Sequence, residues 1–223
     1  MFLLRQINSF DAIALAVFFC VFFNLAPTDE VLRTAGMWWL VMKLSGVLKY
    51  LIFEKVYQIK LSEEEKQIVA AHEAGHALMC YLNSYKMDRI SIIPDGGTLG
   101  RVAFYHDGKV NGKEFYSGMI NVLLSGMVAE EVLFGNHCDG VYSDLERARG
   151  YAYDILKIGM GEKLIYSMAS AENEAEQILQ NAKKEVTSTL LEKYDLLLVL
   201  QQELLKRRTL SWEELEEIVL KFK

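Results

Sequence analysis

The chain has 223 residues, 52% of them hydrophobic and 24% charged, which is enough for one or two domains with a buried core. Only two prolines occur, Pro27 and Pro94, so a proline-rich or disordered chain is excluded. The net charge of −6 divides into +2 over residues 1–60 and −8 over residues 61–223, and so acidic a body excludes a nucleic-acid partner, which requires clustered Lys and Arg. Cys20, Cys80 and Cys138 are odd in number and form no CxxC pair, which argues against a disulfide framework and fits a reducing compartment.

Residues 10–26 (FDAIALAVFFCVFFNLA) form a 17-residue apolar run with one charge, Asp11, near its start. As a helix it covers about 25 Å of a ~30 Å hydrocarbon core. Asp11 before the run and Pro27 directly after Ala26 argue against a cleaved signal peptide. Residues 27–30 (PTDE) read as a turn, and residues 35–53 (AGMWWLVMKLSGVLKYLIF) form a second apolar segment interrupted by Lys43. Lys43 costs about 2.5–3.5 kcal/mol at a helix centre in lipid, so the segment spans with Lys43 facing a protein partner or lies at the interface with Lys43 and Lys49 reaching to water. Trp38 and Trp39 suit a headgroup belt. Residues 1–60 are therefore predicted to be a hydrophobic helical hairpin that anchors the chain to a membrane; a soluble hairpin buried in an oligomer is the competing reading.

From residue 61 the pattern suits water. Ser62 with Glu65 is a capping box, predicting a helix from there to about Asn83. Residues 88–94 (DRISIIP) and 99–106 (LGRVAFYH) read as strands joined by Asp95-Gly96-Gly97 into a hairpin. A helix is predicted over residues 113–134, a loop over 135–142, and helix from 143 almost to the end, broken at Gly159-Met160-Gly161; Ser211 with Glu214 offers a second capping box. The fold class is mainly α with a small β-hairpin or sheet (α+β), and residues 61–223 form the second domain. The leucine stripe of Leu190, Leu191, Tyr194, Leu197, Leu198 and Leu205 reads as core packing before it reads as a coiled coil.

His72-Glu73-Ala74-Gly75-His76 is HExxH inside the first of these helices. Residues four apart share a helix face, with Cβ atoms about 5–6 Å apart, so both imidazoles reach one zinc ion at about 2.0–2.1 Å. Glu73 can lean over an open coordination position, take a proton from a water there and later deliver it to the leaving amine. Gly75 costs ~1 kcal/mol relative to Ala within a helix, which implies close approach by another backbone or by substrate. A catalytic zinc usually has a third protein ligand. Asp95, Glu130, Glu131 and Asp144 are the carboxylate candidates, His106 and His137 the weaker imidazole ones, and spacing alone does not choose among them.

Beyond HEAGH, several stretches resemble the peptidase domain of the FtsH-type membrane-anchored zinc proteases, peptidase family M41: residues 71–78 (AHEAGHAL), Ile92-Ile93-Pro94 with Leu99-Gly100, residues 124–135 (LSGMVAEEVLFG), and residues 143–148 (SDLERA) with Gly159-Met160. The resemblance covers about residues 61–220. It implies one zinc per chain held by His72, His76 and Asp144, with Glu130 orienting a ligand imidazole. It further implies that Ile90, Ser91, Ile92 and Ile93 lie on an edge strand where an extended, unfolded polypeptide substrate pairs through its backbone, and that the chain is a hexameric homo-oligomer. The acidic Asp29-Glu30 turn, with Lys55 and Lys60 after the second apolar segment, predicts the peptidase on the cytoplasmic side. An FtsH-type protease also carries an AAA+ ATPase module between anchor and peptidase. Here eight residues, 54–61, separate the second apolar segment from the capping box, and no GxxxxGK[ST] occurs, so no nucleotide partner is expected and peptide hydrolysis is predicted to be ATP-independent.

Two other readings use the same residues. A site-2-type intramembrane metalloprotease would take its third ligand from Asp95, although the charged residues 62–66 that open the HEAGH helix argue against lipid burial. An adaptor that assembles with a complete FtsH-type protease would use the same peptidase-like surface without being the principal enzyme.

Overall fold

The computed structural model describes residues 43–45, 61–94, 99–105 and 110–222. The chain divides into two units, Met1–Gln58 and Ile59–Lys223. In the first, only Lys43, Leu44 and Ser45 are described, as helix, so the expectations for the apolar hairpin lie outside the described residues.

In the second unit, helix α1 (Glu63–Leu82) begins as its capping box dictates: the Ser62 hydroxyl accepts the Glu65 N–H at 3.1 Å, and the Glu65 carboxylate accepts the Ser62 N–H at 2.7 Å. Glu63, Glu64 and Glu65 place negative charge on the positive end of the helix dipole. From Val69 to Cys80 the helix is buried nearly all round, lined by Ala70, Ala71, Ala74 and Ala77. Their small side chains let neighbouring elements come close. Burial also pushes the Cys80 thiol up to about 12, making it an inert apolar filler.

Strand β1 (Lys86–Ser91) pairs antiparallel with β2 (Arg101–Tyr105), as the hairpin pattern predicts, with a register shift between Met87 and Ile90. A third strand, β3 (Thr209–Ser211), pairs antiparallel with the other side of β1, giving the order β2-β1-β3. Strand β1 is therefore central, which corrects the expectation of a free edge at residues 90–93. Ile90 lies between Val102 and Leu210, Ser91 between Arg101 and Thr209, and the Ile92 N–H is taken by the Arg208 carbonyl at 3.0 Å. Ile93 stays exposed, its N–H bonded to the Ser91 hydroxyl at 3.1 Å.

Helix α2 (Lys113–Phe134) keeps its predicted bounds and ends at Gly135, whose φ of 81° favours a residue without a Cβ. Among the described residues it is the one helix long and apolar enough to cross a membrane, but 67% of its apolar window is buried within the unit, as befits a core helix. A 3₁₀ turn at Asp139–Val141 leads into helix α3 (Tyr142–Lys157). The break predicted at Gly159-Met160-Gly161 separates α3 from α4 (Met168–Glu192), which Ser167 caps. Then follow α5 (Tyr194–Arg207), β3, and α6 (Trp212–Lys221), whose Ser211/Glu214 capping box is complete. Helix α1 packs on α2, α5 and the sheet, while α2 packs on α3 and α4. The leucine stripe is split between α4 and α5: Leu190 and Leu197 are fully buried, whereas Leu191 is exposed, so the stripe chiefly serves the core.

Candidate metal centre

The crossing of α1 and α2 builds the site. A Cβ on Gly75 would run into the Ser125 carbonyl oxygen and lie 2.7 Å from the Ala129 Cβ, so the glycine permits the approach of a second backbone, as its unfavourable place in a helix implied. On the facing helix a Cβ on Gly126 would lie 2.6 Å from His72 Nε2 and 2.7 Å from His76 Nε2. Two bare helix surfaces thus seat the histidine pair between them.

Each imidazole is fixed by its Nδ1. His76 Nδ1 donates to the Val122 carbonyl at 2.7 Å, an oxygen that also accepts the Ser125 hydroxyl at 2.6 Å. His72 Nδ1 donates to Glu130 Oε1 at 2.7 Å, and Glu130 Oε2 accepts the Cys138 N–H at 2.8 Å. Glu130 is 2% exposed, so this hydrogen bond is little screened by water. With both Nδ1 atoms committed as donors, both Nε2 atoms present lone pairs in the neutral ring. They lie 2.9 Å apart, and Asp144 Oδ2 lies 3.2 Å from His72 Nε2 and 3.0 Å from His76 Nε2.

Three lone pairs meeting at one point repel unless a cation stands between them. Where no metal is bound, that cation is a proton: burial opposes charge on His72, yet its hydrogen bonds to the Asp144 and Glu130 carboxylates outweigh it and raise the imidazole to about 10. Burial likewise opposes ionisation of Asp144, but His72 and His76 hold its carboxyl well below the usual carboxylate range. The donor set of two imidazole nitrogens and one carboxylate oxygen fits zinc, with room in a tetrahedron for one further ligand. Arg147 Nη1 lies 3.5 Å from the other oxygen of Asp144, one turn along α3.

Glu73 is 6% exposed, and its Oε2 has no hydrogen-bond partner. Burial raises its carboxyl above the ordinary range, with His76 and His72 pulling the other way. Of the other carboxylate candidates, Glu131 bonds His137 at 2.8 Å and Lys183 at 2.9 Å, linking the loop after α2 to α4 instead of joining the cluster. Asp95 and His106 lie outside the described residues. Val122, Ser125, Gly126 and Gly100 were not singled out as site residues by sequence reasoning. A mid-helix Gly126 in an apolar helix carries the same ~1 kcal/mol cost that marked Gly75, and that signal was available.

An HExxH helix closed by a carboxylate from the start of a distant helix is the donor arrangement of a zinc-peptidase domain. The family model of peptidase family M41 matches residues 59–173, and the chain belongs to that family. It is 31% identical over 192 residues to the ATP-dependent zinc metalloprotease FtsH 3 of Petrotoga mobilis, an alignment covering 72% of this chain and 30% of the relative. It is 30% identical over 168 residues to FtsH 2 of a Thermoanaerobacter species (70% and 33%) and 33% identical over 154 residues to FtsH of Aquifex aeolicus (60% and 24%), both also ATP-dependent zinc metalloproteases. The chain thus matches a third or less of the length of these curated relatives.

Proposed function

We propose that the chain is a zinc-dependent endopeptidase that hydrolyses peptide bonds in extended or unfolded polypeptides. The observation that carries this reading is the convergence of His72 Nε2, His76 Nε2 and Asp144 Oδ2 on one point, with the buried carboxylate of Glu73 on the same helix. His72, His76 and Asp144 would hold a zinc ion there, which would supply Lewis-acid activation of water for attack on the scissile carbonyl. Glu73 accepts one proton from the attacking water and passes it to the amine nitrogen as the C–N bond breaks. Its burial favours this role, because a carboxylate lifted above its usual range is a stronger base. Glu130 and the Val122 carbonyl hold the two imidazoles with their Nε2 lone pairs facing inward throughout.

The substrate reading follows from access. Glu73 is 6% exposed, which favours a substrate that enters as a single extended chain. A domain stable by ~5–15 kcal/mol exposes such a segment only rarely. The relatives are named as ATP-dependent, but in this sequence eight residues separate the second apolar segment from the Ser62 cap, and no GxxxxGK[ST] is present. We therefore propose cleavage without ATP. The test digests one protein in a stable form and as a destabilised mutant, each with and without ATP. Selective cutting of the destabilised form, unchanged by ATP, is expected. Equal cutting of both forms, or stimulation by ATP in the purified chain, contradicts the reading; stimulation only after an ATP-dependent relative is added favours mixed assembly with that relative.

Residues 1–60 are proposed as a membrane anchor with the peptidase on the cytoplasmic side, supported by two apolar segments, the acidic Asp29-Glu30 turn between them, and Lys55 and Lys60 after the second. Full-length protein should sediment with membranes and require detergent for release. Recovery in the soluble fraction without detergent contradicts the anchor.

A further inference from the structure

Buried carboxylates are usually oriented by hydrogen bonds, yet Glu73 Oε2 has none. What lies against this side chain is backbone. A Cβ built on Gly100 would lie 2.8 Å from both Cγ and Cδ of Glu73 and collide with its Oε1. The glycine is not required by conformation: among the described glycines only Gly135 and Gly159 have positive φ, so other residues can adopt the Gly100 backbone. What marks it is contact. The three atoms nearest to that missing Cβ all belong to Glu73, so the backbone lies against the carboxyl end of the side chain.

We propose that Gly100 is a positioning residue for Glu73: the bare backbone leading into β2 closes on the carboxylate and fixes its rotamer beside the His72–His76–Asp144 point. The inference rests on the reading of Glu73 as the general base. It adds that the base is placed by the sheet as well as by its own helix. Replacing Gly100 leaves all three metal donors untouched, while a shift of ~1 Å in a catalytic group costs about 100-fold in rate.

The test is a double-mutant cycle on the full chain: wild type, Gly100→Ala, Glu73→Ala and the double variant, followed by thermal unfolding. Gly100→Ala is expected to lower Tm by about 2–8 °C in the Glu73 background and to leave it unchanged in the Glu73→Ala background, where the obstructing side chain is gone. If Gly100→Ala alone fails to fold, recovery of a folded double variant supports the contact, and failure of both overturns it. In the kinetic arm, Gly100→Ala should keep its zinc and a KM within about two-fold of wild type, while kcat falls about 100-fold. Equal Tm losses in both backgrounds, an unchanged kcat, or a raised KM at unchanged kcat overturns the proposal. The unfolding cycle does not depend on catalysis, so it reports the contact even if Glu73→Gln shows that Glu73 is not the base.

Discussion

Glu73→Gln is expected to lower kcat for peptide hydrolysis by about 10²–10⁴-fold, the contribution of a positioned general base, while one zinc per chain remains bound. The side chain is not one of the three converging donors, so its exchange leaves His72 Nε2, His76 Nε2 and Asp144 Oδ2 in place. Glutamine has nearly the same shape and fits the same contact with Gly100. The substitution should not destabilise the fold either, because Oε2 lacks a partner and the neutral amide removes a buried ionisable group. Activity and metal content therefore separate in this variant. Loss of zinc would make Glu73 part of the metal's support, and retained activity would remove it from the chemistry.

Asp144→Ala is expected to remove metal and activity together. The carboxylate oxygen lies 3.0 and 3.2 Å from the two imidazole nitrogens, and without it a histidine pair alone must retain the ion. Loss of a group that merely orients a metal ligand typically costs 10–100-fold in affinity, so loss of a ligand should cost at least about 100-fold. The fold should survive, since Asp144 lies in the first turn of α3 and the buried contacts of that helix are made by Ala148, Ala152, Ile155 and Leu156. Asp95→Ala should retain zinc. The opposite pattern, with Asp95 needed for the metal and Asp144 dispensable, would favour the site-2-type reading.

The sequence carried the local parts of the structure and missed the parts made by distant contacts. Ser62 with Glu65 and Ser211 with Glu214 announce helix starts through hydrogen bonds three residues long, and both capping boxes form. Spacing alone also places His72 and His76 on one helix face. Asp144, 68 residues beyond His76, reached the candidate list through its residue type but was singled out only through resemblance to the M41 family. Its approach to the pair depends on how α3 docks on α2, which no local pattern records. Strand β3 escaped notice because three residues between two helices leave no period to detect, and Arg208, with φ of 65°, turns the chain there without a glycine to mark the turn. With Thr209–Ser211 unseen, nothing in the sequence set a third strand beside the edge that the resemblance implied for residues 90–93. Gly100 escaped for a related reason, since outside a helix a missing side chain acquires meaning only from what occupies its place.

The central claim, that this chain holds a zinc ion with His72, His76 and Asp144 and uses Glu73 to hydrolyse peptide bonds, is tested most directly by measuring zinc content and casein cleavage in parallel on purified wild type and Glu73→Gln. One zinc per chain in both proteins, with cleavage in the wild type alone, is the predicted result. A wild type that cleaves casein without bound zinc, or a zinc-loaded wild type no more active than the Glu73→Gln variant, would contradict the account.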